Sequence, residues 1–332
     1  MPHPAQFWHP LPDGRIFCYL CSQFCRIPTG EVGFCRYRRH DPEGLVSLNY
    51  GQISSYALDP IEKKPLYHFY PGSSIFSIGS VGCSLACQFC QNWGIAQAEA
   101  ETISVAPSRI IELAGSETAR RQGCIGIAYT YNEPIIWSEY IRDVAPQARA
   151  QGLKNVLVTS GYATPKPWRE LMKVIDAANI DVKGYTDRFY DSVCSGHLAP
   201  VRKAVEMAVE AGVHVEITTL LIPDANDSED EIESLARWLA SLNPLIPLHF
   251  SRYFPNYHMQ APPTPLATLQ RAQAIAKEHL RYVYLGNVGG GQKTHCPECG
   301  EIIVERDHGV ELHLDHGRCP RCHTLVAGFV TA

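Results

Sequence analysis

The chain has no apolar run long enough to cross a bilayer. Its first residues, Met1-Pro2-His3-Pro4-Ala5-Gln6-Phe7, carry neither a cationic stretch nor an apolar core of the kind that directs secretion. It also lacks an excess of positive charge: the net charge is −5 and the isoelectric point is near 6.3. A broad basic surface for nucleic acid is therefore not expected. One short basic run exists, Arg36-Tyr37-Arg38-Arg39-His40. It reads as a solvated face or as the neighbour of a metal cluster. The absences together predict a cytoplasmic protein.

Cysteine, by contrast, is abundant. Thirteen occur, and in a reducing compartment they read as metal ligands before disulfides. They fall in three groups, with only Cys124 and Cys194 standing alone.

The N-terminal group is Cys18-x2-Cys21-x3-Cys25-x9-Cys35, in a proline-rich and aperiodic stretch punctuated by Pro28, Gly30 and Gly33. Four thiolates satisfy either a tetrahedral zinc or a second iron–sulfur cluster. The role is structural on either reading, because this stretch has too few apolar residues to fold unaided.

The C-terminal group is Cys296-x2-Cys299 with Cys319-x2-Cys322, the pattern of a zinc ribbon. Short strands are expected at Ile302–Val304 and Val310–Leu314, after a flexible linker at Val288–Lys293. So small a module needs its metal to fold. His295, His308, His313, His316 and His323 read as surface residues, since four cysteines already close a tetrahedral site.

The middle group, Cys83-x3-Cys87-x2-Cys90, offers only three thiols. It follows an apolar strand and is set in a turn of small residues. A zinc completed by a distant ligand is one reading. The other is a four-iron cubane with one iron left open, which suggests chemistry as well as electron storage.

Beyond it, apolar strands alternate with amphipathic helices. Strands are expected at Ile75–Gly79, Ile125–Tyr129, Asn155–Thr159, Ala178–Val182, Val213–Leu221, Leu248–Tyr253 and Tyr282–Leu285. Helices are expected near Pro107–Gln122, Ile136–Gln151, Pro167–Ala177, Pro200–Ala211, Ser228–Ser241 and Pro265–His279, with Ser228 and Glu231 as a capping box. Alternation of this kind implies an α/β fold, a full or partial (β/α) barrel with a parallel sheet. Functional residues of such barrels gather at the strands' C-terminal ends. There the sequence places Tyr129–Pro134, Ser160, Asp181, Lys183, His249, Ser251 and Asn287 beside the three cysteines. Taken singly, Asp181 and Lys183 could be a structural ion pair, His249 a core histidine and Glu133 a helix cap. Converging on one face, they read as a site.

These residues resemble the radical SAM superfamily: C-x3-C-x2-C with Phe89 before the last cysteine, at the end of the first strand of a β/α series. Within it, Cys90-Gln91-Asn92, Asp181-x-Lys183 and Ile222-Pro223-Asp224-Ala225-Asn226-Asp227 are similar to motifs of glycyl-radical activating enzymes such as pyruvate formate-lyase activase, with Asp224 where glycine is usual. Nearly the whole chain resembles the radical SAM component of the AmmeMemoRadiSam system. The resemblance implies a 4Fe–4S cluster on Cys83, Cys87 and Cys90. It implies S-adenosylmethionine chelated by the open iron and cleaved to a 5′-deoxyadenosyl radical. It also implies hydrogen abstraction from a small molecule or a partner protein. Thr130, Asn132 and Glu133 stand where the family has glycine-glycine-glutamate, which meets the SAM amino group. Ser160, Asp181, Lys183 and His249 would line the ribose and carboxylate side, with Asp181 and Lys183 as the catalytic pair. A flavodoxin- or ferredoxin-like electron donor is implied, with partner proteins of the same system. A tRNA-modifying radical SAM protein and a non-catalytic metal scaffold are the alternatives. The expected divisions are residues 1–70, 71–287 and 288–332.

Overall fold

The computed structural model describes residues 3–331. Its centre is one eight-stranded sheet. The strands in chain order are β1 (Ser55–Pro60), β2 (Ser74–Gly79), β3 (Cys124–Tyr129), β4 (Lys154–Thr159), β5 (Ala177–Asp181), β6 (His214–Leu221), β7 (Leu248–Arg252) and β8 (Val283–Gly286). Spatial order follows chain order. The pairs from β2 to β8 are parallel, and β1 runs antiparallel to β2. β1 and β8 are its two edges, so the barrel is partial.

The helices between these strands are α1 (Pro107–Ala114), α2 (Glu117–Arg121), α3 (Ser138–Ala150), α4 (Pro165–Met172), α5 (Leu198–Glu210), α6 (Glu229–Leu242) and α7 (Leu266–Lys277). Helix formation follows the apolar spacing, and α4 and α6 bury one face each. The helix expected over Pro107–Gln122 is broken at Gly115-Ser116, where the Ser116 hydroxyl caps α2 by accepting from the Ala119 N–H. The box expected at Ser228 is half formed. Ser228 Oγ accepts from the Glu231 N–H at 3.4 Å, but the Glu231 carboxylate turns to the Tyr185 N–H instead. Glu231 thereby ties the loop after Lys183 to α6.

Three sequence expectations change. The strand β1 lies within the span 1–70 assigned to the N-terminal segment, yet it belongs to the barrel's sheet. Residues 3–47 are not irregular: they form two small antiparallel sheets. The basic run is no solvated face either. Arg38 is 1% exposed, and its guanidinium pairs with the buried Glu139 of α3 at 3.0 Å. That pair and the Gln6 N–H, bonded to Glu139 at 2.8 Å, fasten the N-terminal segment to the barrel.

The C-terminal module adds strands at Gln292–His295, Ile302–Arg306 and Val310–Leu312, so the expected linker is shorter than Val288–Lys293. The module closes against the seam between β1 and β8. Arg306 donates to the Tyr67 carbonyl at 2.7 Å and to Thr294 Oγ1 at 2.8 Å. Tyr284 of β8 bonds Thr294 at 2.8 Å and His68 Nε2 at 2.6 Å, while His68 Nδ1 donates to the Gly328 carbonyl at 3.2 Å.

Burial pulls the His68 pKa from 6.5 down to about 3, so the folded ring is neutral. The unfolded chain takes up this proton near pH 6.5 and the folded chain does not until about pH 3. Stability is therefore expected to fall as pH drops through that window, by up to about 1.4 kcal/mol per pH unit. Thermal melts across pH 3–6.5 should show a shallower loss in His68→Phe than in wild type; equal slopes would contradict this.

Candidate active site

The cysteine loop lies where the topology predicts, at the C-terminal end of β2. Its thiols open into a cavity of about 390 Å³ that is also lined by Lys64, Thr130, Asn132, Glu133, Ser160, Asp181, Lys183, Thr218, Ser251 and Asn287. This size suits a small-molecule site. All seven parallel strands, β2 to β8, contribute side chains, most of them at or just beyond their C-terminal ends.

The loop is latched on several sides. Asn132 Oδ1 accepts from the Ser80 N–H at 2.9 Å, and its Nδ2 donates to the Gly82 carbonyl at 3.0 Å. Asn92 Nδ2 donates to the Tyr131 carbonyl at 2.8 Å. The loop from β5 adds a third edge: the Ala86 and Gln88 N–H groups donate to the Cys194 and Val193 carbonyls, both at 3.0 Å. Asn132→Ala leaves a buried N–H and a buried carbonyl unpaired. It should cost about 1–3 kcal/mol, read as a lower melting temperature with less iron retained. An unchanged melt and iron content would oppose this role.

Glu133 is 3% exposed. Its Oε1 accepts from Thr159 Oγ1 at 2.6 Å and the Ile135 N–H at 3.0 Å. Its Oε2 accepts from the Ser160 N–H at 2.9 Å and Ser160 Oγ at 2.7 Å. The carboxylate is thus saturated, and it fixes the ends of β3 and β4 relative to each other.

Lys183 Nζ pairs with Asp181 at 3.1 Å and lies 5.9 Å from the Phe89 ring centre. Burial opposes its charge, but the adjoining Asp181 carboxylate more than offsets this and raises the pKa well above the ordinary lysine value. Lys183 is therefore a fixed cation and no base at neutral pH. Asn226 positions it by donating to the Lys183 and Leu220 carbonyls at 2.7 and 2.9 Å. Asp224 in the same loop has φ +61°, which accounts for the glycine preference at that place in the resembling family.

One expected residue stands outside the cavity. His249 faces inward but one step too deep. Two residues further along the same strand, Ser251 reaches the cavity. His249 Nε2 instead donates to Glu216 at 2.7 Å. Glu216 also takes His214 Nε2 at 3.0 Å and the Tyr67 and His68 N–H groups at 3.0 and 2.8 Å. Burial would raise the Glu216 pKa, but the hydrogen bonds from His214 and His249 outweigh it and hold the carboxylate ionised. This set is the barrel's floor.

Three cavity neighbours were missed. Lys64, set in what reads as a loop, pairs with Asp59 at 2.8 Å and lies 4.6 Å from the Tyr131 ring centre. Burial acts against Asp59, yet Lys64 and Tyr131 lower its pKa to about 2. Thr218 is foreshadowed only by alternation with Glu216 and Leu220 along β6. Cys194 gives no sequence signal at all. It packs against the Cys87 thiol and does not line the cavity.

Burial raises the thiol pKa of Cys83, and that of Cys90 to about 11, while contact with Cys194 and then burial raise that of Cys87. All three are neutral without metal, so binding iron must expel their protons. The donor set nevertheless fits an iron–sulfur cluster with a polar co-ligand. Three thiols share one cavity with a lysine cation, and no fourth cysteine lines it. The Thr218 hydroxyl is buried beside this cavity with no partner among the described residues. A polar ligand in the cavity would account for it.

Residues 77–239 match the Radical SAM superfamily. Over 330 residues, the chain is 39% identical to an uncharacterised protein of Methanocaldococcus jannaschii, covering 96% of this chain and 97% of that one. The chain belongs to the radical SAM superfamily. Membership brings a 4Fe–4S cluster and S-adenosylmethionine as the working groups. Among named relatives, the pyruvate formate-lyase-activating enzyme of Clostridium pasteurianum is 23% identical over 176 residues, 51% of this chain and 72% of that enzyme. The radical SAM fold is also shared with Streptococcus suis SuiB, solved bound to S-adenosylmethionine: TM-score 0.50, 16% identity, 67% of this chain and 50% of that one. No helix among the described residues is long and apolar enough to cross a membrane.

In the C-terminal module the Cys296 and Cys322 sulfurs are 3.7 Å apart, and those of Cys299 and Cys319 are 3.5 Å apart. A tetrahedral zinc with bonds of about 2.3 Å needs sulfurs about 3.8 Å apart. The group can hold a single metal ion.

Proposed function

We propose that Cys83, Cys87 and Cys90 hold the cluster and leave one iron to S-adenosylmethionine, and that this chain is a hydrogen-abstracting radical enzyme. Three cysteines facing a polar cavity with no fourth carry this reading. The bound groups supply one-electron reductive cleavage of the sulfonium bond, giving methionine and a 5′-deoxyadenosyl radical that takes hydrogen from a substrate.

The chain's own residues bind and orient. Lys183, kept charged, is placed to meet the methionyl carboxylate. Thr218 and Ser251 offer hydroxyls to the cofactor. Glu133 is already saturated by four donors and holds Thr159 and Ser160 in place. Thr130 and Asn132 add polar wall. The hydrogen donor, a small molecule or a glycyl residue of a partner protein, enters at the strands' C-terminal mouth. The electron comes from a flavodoxin- or ferredoxin-like protein. The relation to activating enzymes supports this reaction class, and zinc is the metal proposed for the C-terminal group.

The test is spectroscopic. Adding S-adenosylmethionine to the reduced protein should change the cluster's paramagnetic resonance spectrum. In Lys183→Ala, the concentration needed should rise about 10- to 100-fold, the loss of one charged hydrogen bond. A wild-type spectrum indifferent to S-adenosylmethionine would overturn the proposal.

A further inference from the structure

We propose that Cys18, Cys21, Cys25 and Cys35 hold a second four-iron cluster, closed by four thiolates, and not a zinc ion. The chain contains its own standards for comparison. Among the described residues, the C-terminal cysteines alone form a group of three or more Cys, His, Asp or Glu whose ligand atoms all lie within 4.8 Å of one another. That is the compactness one ion demands, because every sulfur bonds the same atom. The cavity cysteines do not meet it. They belong to a loop that must span a cubane, where each thiolate binds a different iron. The N-terminal cysteines do not meet it either. No three of their sulfurs come that close, although the Cys18 N–H donates to the Cys25 carbonyl at 2.9 Å and the Cys25 sulfur sits against the Phe34 N–H beside Cys35. They are gathered, but not within the reach of one ion.

Their setting agrees. Cys18, Cys21 and Cys35 are buried. Cys25 Sγ accepts the Phe34 N–H at 3.3 Å, as Cys83 Sγ accepts the Leu85 N–H at 3.4 Å. The two cysteine groups also abut. Gln23, between Cys21 and Cys25, donates from Nε2 to the Ser84 carbonyl at 2.9 Å and to the Ser195 carbonyl at 2.8 Å. A Cβ on Gly82, which precedes Cys83, would lie 2.7 Å from the Cys35 carbonyl oxygen and 2.4 Å from Tyr37 Cδ2. Only glycine lets the segments approach so closely, with φ +84°. A closed cluster has no free iron for a substrate, so this one stores and passes single electrons beside the site that uses them.

The inference takes the cavity loop as a cubane site, and the experiment separates the two. The full chain is reconstituted anaerobically with iron and sulfide, then counted for iron and zinc. The variants are Cys83→Ala/Cys87→Ala/Cys90→Ala and Cys18→Ala/Cys21→Ala, with Cys35→Ser as a milder change. Wild type should hold about eight irons and one zinc, and the triple variant about four irons and one zinc. The triple variant should also give a paramagnetic signal when reduced. Cys18→Ala/Cys21→Ala and Cys35→Ser should each lose about four irons and keep the zinc, which reports that the C-terminal module is intact. Iron absent from the triple variant, with about two zincs present, would overturn the second cluster and leave the cavity cluster standing. Iron lost only in the Cys18/Cys21 and Cys35 variants would uphold the second cluster and defeat the cavity reading.

Discussion

Cys87→Ala is expected to abolish S-adenosylmethionine cleavage and to remove the iron held at the cavity. The thiol sits in the loop after β2 with Cys83 and Cys90, and the three together line the cavity. Two thiolates cannot hold a cubane whose remaining iron must stay open. Cys194→Ala is the matched control. Its thiol touches Cys87 from behind and does not line the cavity. It should keep the iron and the activity, with at most a shifted reduction potential from the lost sulfur contact. Iron counts with a 5′-deoxyadenosine assay on both variants decide the point. Retained cleavage in Cys87→Ala, or full loss in Cys194→Ala, would mean that the ligands are misassigned.

The largest effect on stability is expected at Glu216. Replacing it with alanine removes an ionised acceptor of four hydrogen bonds. It leaves two backbone N–H groups and two imidazoles without their partner in the core. Breaking a buried charged network of this kind costs about 3–5 kcal/mol. Because Glu216 joins β6, β7 and the Tyr67–His68 segment, the loss should also loosen the seam where the C-terminal module rests. Denaturant unfolding of Glu216→Ala against wild type, both with the C-terminal metal retained, measures it. A difference below about 1 kcal/mol would show that the floor relaxes around the gap.

Much of this architecture was legible in the sequence. The parallel strands are mostly buried on both faces and read as near-continuous apolar runs, as in Val156–Val158 and, with Ser77 as its one break, Ile75–Ile78. The cysteine spacings separated a three-thiol loop from two four-thiol groups. The edge strand β1 was hidden because it is half exposed, with Tyr56 63% accessible, and because it ends in Asp59-Pro60, which reads as a turn. His249 shows the limit of reading along a strand. Alternation fixes which face a side chain takes, but its depth depends on where the strand sits in the barrel. Lys64 and Cys194 reach the site through tertiary packing alone, and neither carries a spacing signal. The Glu133 motif could be placed on its loop, while its saturation by Thr159, Ser160 and Ile135 depends on how β3 and β4 meet.

The most direct test of the central claim is product formation by the protein itself. The chain, reconstituted with iron and sulfide and reduced without oxygen, is given S-adenosylmethionine. Methionine and 5′-deoxyadenosine should appear in equal amounts and fall to background in Cys87→Ala. A fully loaded, reducible cluster that leaves S-adenosylmethionine intact would contradict the account.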